Sequence, residues 1–119
     1  MQVMVFVKAT KESEAGFVST PESRAALAEM ERFNDELRKA GVLRMAGGLK
    51  PSSHGKRVAF DGADRAVRDG PFSNPSELVA GFWLWDVADM AEAVDWVRRC
   101  PNPMQGPSEI EIRPIEDEL

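Results

Sequence analysis

Three side chains in the middle of the chain could carry out acid–base chemistry: His54, Asp69 and Glu77. His54 is the only histidine, and an imidazole changes charge most readily near neutral pH. A general acid or base needs a partner within hydrogen-bond reach, and the two carboxylates are the nearest candidates. We therefore treat all three as candidate catalytic residues. The alternative is that His54 is a surface histidine of a loop and that Asp69 only stabilises an Asp-Gly-Pro turn.

Basic residues cluster between positions 50 and 68 and could form an anion-binding pocket. On a β-hairpin, every second side chain points to the same face, so some of these residues could turn toward a cleft. We take Arg57 and Arg68 as candidate ligand-binding residues. Phe72 and Trp83 are the aromatic candidates for the same role. The expected ligand is a small anionic or aromatic molecule. The alternative is a solvated strand face for the arginines and a place in the core or in a dimer interface for the aromatic rings.

The sequence contains no motif for a metal, nucleotide or cofactor. One histidine, one cysteine (Cys100) and no HxxxH or CxxC spacing leave only carboxylates as metal ligands. The pair Gly47-Gly48 lacks the pattern of a phosphate-binding loop. We therefore expect no metal and no cofactor, and we interpret Cys100 as structural.

The composition is that of one soluble domain over residues 1–119. A chain of 119 residues can bury one hydrophobic core, and 43% hydrophobic with 29% charged residues is typical of a globular protein. No apolar run approaches the ~18 residues that cross a bilayer, and the first residues do not resemble a signal peptide. The net charge of −5 argues against nucleic-acid binding. We expect a cytoplasmic protein with no membrane or nucleic-acid partner.

The elements that must position these residues follow an α+β plan. Apolar residues spaced by three or four predict one helix over about 21–40, with the stripe Ala26, Met30, Phe33, Leu37 and Ala40, and a second between Asp89 and Cys100. Alternating and β-branched residues predict six strands, at 2–8, 42–49, 56–60, 65–69, 79–87 and 109–115. Asp61-Gly62 predicts that the third and fourth strands form a hairpin. With that hairpin set aside, the order is ferredoxin-like: an antiparallel sheet with two helices on one face.

Strands 2–8 and 79–87 are apolar on both faces. In the second, Phe82 and Leu84 alternate with Trp83 and Trp85. Two helices cover one face of a sheet, and each large side chain left in water forgoes about 1.5–3 kcal/mol of burial. A second copy of the chain is the simplest cover, so we expect a homodimer. The alternative is that segment 50–56 or 101–108 folds over the open face. The sequence does not decide which set of side chains meets the helices.

A set of ordered motifs resembles the DGPF branch of the YCII-related family. The motifs are Gly47-Gly48-Leu49-Lys50-Pro51, Asp69-Gly70-Pro71-Phe72, Gly81-Phe82-Trp83-Leu84-Trp85, and the closing Arg99-Cys100-Pro101 and Glu109-Ile110-Glu111-Ile112-Arg113-Pro114. The resemblance spans almost the whole chain and implies a dimeric α/β-barrel built on the ferredoxin-like unit. It implies little about chemistry, because this branch is largely uncharacterised.

The other branch of the family has a proposed acid–base pair. It consists of a histidine near the start of the first helix and an aspartate before a proline after the second helix, and some relatives act as dehydrochlorinases or hydrolases. Here the helix starts Pro21-Glu22-Ser23-Arg24 and the residue before Pro101 is Cys100. The mechanism of that branch is therefore not transferred to this chain.

Two main classes of function are left open. One is a small-molecule-binding protein, an enzyme of lyase or hydrolase type if His54, Asp69 and Glu77 converge with an arginine in a cleft near the dimer interface. The other is a non-catalytic regulatory or interaction protein. Because DGPF-type proteins are often encoded beside alternative sigma factors, the resemblance allows such a factor as a partner. A ligand-sensing dimer without catalysis is a third reading.

Overall fold

Six strands and three α-helices follow one another in the computed structural model, which describes residues 1–117. The strands are β1 (Gln2–Lys8), β2 (Leu43–Gly48), β3 (Lys56–Asp61), β4 (Asp64–Asp69), β5 (Val79–Asp86) and β6 (Ile110–Pro114). The helices are α1 (Lys11–Glu14), α2 (Pro21–Lys39) and α3 (Met90–Arg99). The six predicted strands and both long helices are confirmed. The short helix α1 and two single turns, 52–54 and 75–77, were not predicted.

Four of the strands form one antiparallel sheet in the order β2-β5-β1-β6. The central strand β1 pairs with β5 on one side and β6 on the other, so Val5 lies opposite both Trp83 and Ile112. Strands β3 and β4 form a separate two-stranded sheet. The predicted α+β class is confirmed, and the strand order is compatible with a ferredoxin-like fold.

The buried core lies between the four-stranded sheet and the helices α2 and α3. Val3, Val5, Leu37 and Trp85 are its largest fully buried side chains. The ring of Phe33 on α2 makes edge-on contacts with three tryptophans, with centroid distances of 6.0 Å to Trp83, 6.4 Å to Trp85 and 6.2 Å to Trp96. The tryptophans of β5 therefore face the helices, and Phe82 and Leu84 point to the other side of the sheet.

Thr20 caps the start of α2, but the buried apolar stripe of this helix is shorter than predicted. The Oγ1 atom of Thr20 accepts a hydrogen bond from the Ser23 N–H at 3.0 Å. Phe33 and Leu37 are buried and Met30 is half-buried, whereas Ala26 and Ala40 are exposed. A helix of 19 residues is about 28 Å long, longer than the sheet that it covers. The N-terminal half of α2 therefore buries no apolar side chain.

The hairpin β3–β4 projects from the rest of the chain, and every residue of both strands is exposed. The radius of gyration is 16.0 Å, against about 13.5 Å for a compact chain of this length. The smallest dimension of the molecule is 20 Å, which is about two layers of secondary structure. The molecule is therefore a slab of one sheet and one helix layer with an arm.

The DGPF motif anchors the base of this arm. The Gly70 N–H donates to the Gly55 carbonyl oxygen at 3.0 Å. A Cβ atom on Gly70 would lie 1.8 Å from the backbone oxygen of Ser52, so no larger residue fits. The Ser52 hydroxyl accepts from the Phe72 N–H at 3.0 Å and donates to the carboxylate of Glu14. These contacts tie the motif to the turn 52–54 and to α1.

Within residues 1–117, no helix packs on the second face of the four-stranded sheet. Its central side chains, Met4, Phe6, Phe82 and Leu84, are half-buried. The alternative covers, segments 50–56 and 101–108, are held elsewhere: Ser52 is bound to Glu14 and Phe72, and Met104 packs against the helix-side core. Among the helices within residues 1–117, none is long and apolar enough to cross a bilayer.

Candidate anion-binding site

Two arginines of the hairpin meet over one aromatic ring. Arg57 on β3 lies directly opposite Arg68 on β4, so both side chains leave the same face of the hairpin. Their guanidinium carbons lie 3.9 Å and 5.3 Å from the centroid of the Phe72 ring. Like charges directly opposite each other destabilise an antiparallel pair, and the ring offsets part of this repulsion.

These residues line a shallow cavity of about 180 Å³ between the hairpin and the segment that follows it. Its wall consists of Arg57, Arg68, Pro71, Phe72, Ser73, Asn74 and Glu77. The volume is below the range of about 300–1,000 Å³ of pockets that enclose a whole drug-sized ligand. It suits a small ion or one charged end of a larger molecule.

The cavity has an excess of positive charge. In the described part of the chain, neither Arg57 nor Arg68 forms a salt bridge. By contrast, the guanidinium of Arg44 lies 3.0 Å from Asp86 and that of Arg38 lies 2.6 Å from Asp35. Among the described residues of the wall, Glu77 is the one acidic side chain, against two arginines. The site is therefore complementary to an anion.

The three candidate catalytic residues are not joined into one group. All three side chains are exposed, and no hydrogen bond between any two of them occurs within residues 1–117. Asp69 lies on the opposite face of the hairpin from Arg57 and Arg68, and its carboxylate is bound by the Lys56 ammonium group. His54 lies in the turn 52–54, and Glu77 alone of the three lines the cavity.

The two aromatic candidates are separated as well. Phe72 is half-buried and forms the floor beneath the arginines. Trp83 is buried on the helix side of the sheet, where its Nε1 donates to the Oδ1 of Asn34 at 2.8 Å. Trp83 is therefore a core residue and lies outside the cavity wall.

Two polar residues of the wall, Ser73 and Asn74, were not identified from the sequence. Their only sequence signal is that they follow Phe72 directly in an irregular segment. The contact of Ser52 with Glu14 was missed too, because it joins residues 38 positions apart and belongs to no local pattern. Such positions are found only when the fold is known.

Cys100 lies in the wall of a second cavity, of about 210 Å³, beside Pro101 and Ile110. Burial raises the pKa of its thiol to about 12. Because the thiolate is the nucleophilic form, this cysteine is unreactive near neutral pH. Within residues 1–117, no cluster of His, Cys, Asp or Glu has the geometry to hold a metal ion.

Comparison with known proteins gives a family and a distant relative. The family model described as the YCII-related domain matches residues 1–117. An uncharacterized protein of Rhizobium meliloti (strain 1021) is 27% identical over 104 residues, covering 87% of this chain and 84% of that protein. Neither description names an activity, a ligand or a partner.

Proposed function

The chain belongs to the YCII-related family, and from that premise we propose that it is a small-molecule-binding protein whose ligand is an anion held between Arg57 and Arg68. The single observation that supports this most is the position of both guanidinium groups over one ring with no carboxylate paired to either in residues 1–117. We also assign the chain to the DGPF branch, on the tetrapeptide that begins at Asp69.

The chemistry of the wall defines the class of ligand. A planar guanidinium can bind a carboxylate or a phosphate through two parallel hydrogen bonds. The face of Phe72 offers a flat apolar surface beside them, and Ser73 and Asn74 add polar groups. A small aromatic carboxylate or a phosphate ester fits this combination.

Binding is better supported than catalysis. A general base must lie within hydrogen-bond reach of the proton that it removes, and His54 and Asp69 do not line the cavity. A lyase or hydrolase activity would use Glu77 as the base, because it is the one acidic group that the described residues bring to the wall. Replacement of Glu77 by Gln would then abolish turnover and leave ligand binding in place.

Calorimetric titration with inorganic phosphate and with benzoate tests the binding site. We expect saturable binding by the unaltered protein and at least about tenfold weaker binding by Arg57→Gln and by Arg68→Gln. Arg65→Gln is the matched control, since Arg65 lies on the opposite face of the same hairpin over Phe60. An equal loss in the control would show that the protein attracts anions only through its general charge.

We further propose that the protein is a homodimer that forms through the second face of the sheet. Met4 lies opposite Leu84 and Phe6 opposite Phe82, so the four side chains make one continuous apolar surface, which we call the open face. The ring of Phe82 extends this surface over Gly47, where a Cβ atom would lie 2.9 Å from it. A large apolar surface of this kind is rare in a monomer.

Charged pairs border the open face. Arg44 binds Asp86 at 3.0 Å, and this hydrogen bond lowers the pKa of the Asp86 carboxyl. Lys8 and Glu111 form a second pair at 3.9 Å. A polar rim around an apolar centre is the usual anatomy of a protein–protein interface.

Light scattering after size exclusion tests the dimer. Leu84→Glu places a charge at the centre of the open face and should give a monomer. Ala26→Glu introduces the same charge on the exposed side of α2 and should leave the dimer intact. A monomeric unaltered protein would instead favour the alternative function, in which the open face binds a regulatory partner such as an alternative sigma factor.

A further inference from the structure

The hairpin carries a second apolar surface, on the face turned away from the arginines. Val58 and Val67 lie directly opposite each other, and Phe60 follows on the same face. Their exposed fractions are 52%, 62% and 75%. We call these three residues the arm face.

An arm of this kind is poorly stabilised within one chain. A two-stranded hairpin without further packing is marginally stable in water. Here the described contacts that hold it lie at its base, around Gly55 and Gly70, and no residue of β3 or β4 is buried. Burial of the arm face therefore requires a surface from another molecule.

We propose that the hairpin β3–β4 is a dimerisation arm whose Val58–Phe60–Val67 face packs against a second copy of this chain. We propose further that this contact orders the anion site on the reverse face of the arm, a step that rests on the proposed function. The arginines and the valines alternate along the same two strands, so whatever fixes the strands fixes both faces.

The combined area of the open face and the arm supports a second copy of the chain as the partner that covers them. Four strands about 4.8 Å apart and about 20 Å long give the open face a flat area of about 400 Å². A stable dimer buries about 800 Å² on each partner. The arm adds about 200 Å², and under two-fold symmetry each chain also receives the arm of the other over a similar area. As flat areas, which are smaller than the accessible surface that packing buries, the sheet supplies about half of this value and the two exchanged arms bring the total to about 800 Å².

The charges beside the arm face also favour a copy of the same chain. Lys56 is paired with Asp69 at one end, and Arg65 lies 4.4 Å over the Phe60 ring at the other. The rim of the open face likewise carries paired charges of both signs. Arg65 is the one cation of the arm face without a carboxylate partner in residues 1–117, so a strongly charged partner, such as a nucleic acid or an acidic peptide, would find little complementary field on either surface.

The test compares two double variants that differ only in the face of the hairpin that they change. Val58→Thr with Val67→Thr makes the arm face polar and keeps both side chains β-branched, so strand propensity is retained. Ala59→Thr with Ala66→Thr changes the neighbouring opposed pair on the other face. We expect the first variant to raise the dimer dissociation constant, measured by sedimentation, at least about tenfold. The second should stay within about twofold of the unaltered protein.

Titration with inorganic phosphate tests the ordering of the site. At concentrations where the unaltered protein is dimeric, the Val58→Thr, Val67→Thr variant should bind phosphate at least about tenfold more weakly. Hydrogen exchange of the unaltered protein gives a measurement that needs no variant, since the amides of 56–69 should become more protected as protein concentration rises.

Different results of these experiments would overturn the arm contact, the ordering of the anion site or the proposed function. An unchanged dimer in the Val58→Thr, Val67→Thr variant, or exchange of 56–69 that is independent of concentration, overturns the arm contact. A weakened dimer whose monomer binds phosphate as the unaltered protein does overturns the ordering step and leaves the proposed function standing. No phosphate binding by the unaltered protein overturns the proposed function and the ordering step together, while sedimentation still decides on the arm.

Discussion

The two tryptophans of β5 share a face but differ in hydrogen bonding. The Nε1 of Trp83 donates to Asn34, whereas the Nε1 of Trp85 is buried with no partner in residues 1–117. The centroids of the two indole rings are 5.5 Å apart, and both rings pack against Phe33. An indole N–H buried without a partner keeps its desolvation penalty, so Trp85 contributes through packing alone.

Replacement of each tryptophan by phenylalanine should separate these contributions. Both changes remove a similar volume from the core, but only Trp83→Phe also leaves Asn34 without its donor. We expect Trp83→Phe to lower the free energy of unfolding by about 1 kcal/mol more than Trp85→Phe does. Urea unfolding followed by circular dichroism measures the difference, and a larger loss in Trp85→Phe would contradict this account.

The thiol of Cys100 should resist alkylation in the folded protein. With its pKa raised to about 12 from an ordinary value of 9.0, almost no thiolate is present at pH 8. We expect iodoacetamide to react at least about tenfold more slowly with the native protein than with the protein in urea. Equal rates would show that the site opens freely.

The raised pKa of Cys100 makes the stability of the folded protein fall as the pH rises into the alkaline range. Between about pH 9 and 12 the unfolded chain has lost the thiol proton and the folded chain retains it, so raising the pH across this window favours unfolding. Below pH 9 both states are protonated, and the full contribution of the buried thiol is present. The Cys100→Ser variant should lack this alkaline loss.

At the site, the sequence predicted what strand alternation decides and missed what depends on packing. Alternation on the hairpin predicted that some of its basic residues could turn toward a cleft, and the strand register shows that Arg57 and Arg68 share a face. Their role in binding stays a prediction. The same rule turns Asp69, one residue beyond Arg68, away from the cavity. Trp83 could not be placed, because β5 is apolar on both faces and its orientation depends on which face the helices cover.

At the scale of the elements, local signals set the bounds well. Thr20 caps the start of α2 and Asp89 caps the start of α3, because the side-chain oxygen of each accepts a hydrogen bond from a backbone N–H of the first turn. The four residues of α1 are too few to show a helical period. The predicted apolar stripe of α2 included Ala26 and Ala40, which are exposed, because periodicity does not reveal where the sheet beneath a helix ends.

The anchor of the hairpin should be sensitive to one methyl group. Gly70→Ala would force a Cβ against the Ser52 carbonyl, and overpacking of this kind costs about 1–3 kcal/mol. Gly106→Ala is the matched control, because nothing lies within 4 Å of the added atom. Thermal unfolding should show destabilisation in the first variant only. A similar stability of the two would mean that the turn 52–54 shifts without cost.

At the scale of the whole molecule, the sequence showed that one layer of helices could not cover both faces of the sheet. In the structure the helices lie on the Trp83 side, a choice that the sequence left open, and the Phe82 side keeps half-buried apolar residues. The identity of the cover could not be read from the sequence, because apolar alternation is the same whether a loop, a copy or another protein completes the core.

If two copies complete the core, stability must depend on protein concentration. Each tenfold increase should add about 1.4 kcal/mol to the free energy of unfolding per dimer, because dissociation accompanies unfolding. For a chain of this size the thermal midpoint should rise by about 3 °C per tenfold increase. Leu84→Glu should make the midpoint independent of concentration, and a concentration-independent midpoint in the unaltered protein would contradict the dimer.

The hydrogen bond between Gly55 and Gly70 gives the arm an unusual property. The chain leaves the domain and returns to it at almost the same point, since these two backbones are 3.0 Å apart from N to O. Residues 56–69 can therefore be excised, or exchanged for the hairpin of a relative, with no gap for the remaining chain to bridge. If the arm makes the contacts proposed above, such a change would alter the dimer contact and the anion site and leave the four-stranded sheet unchanged.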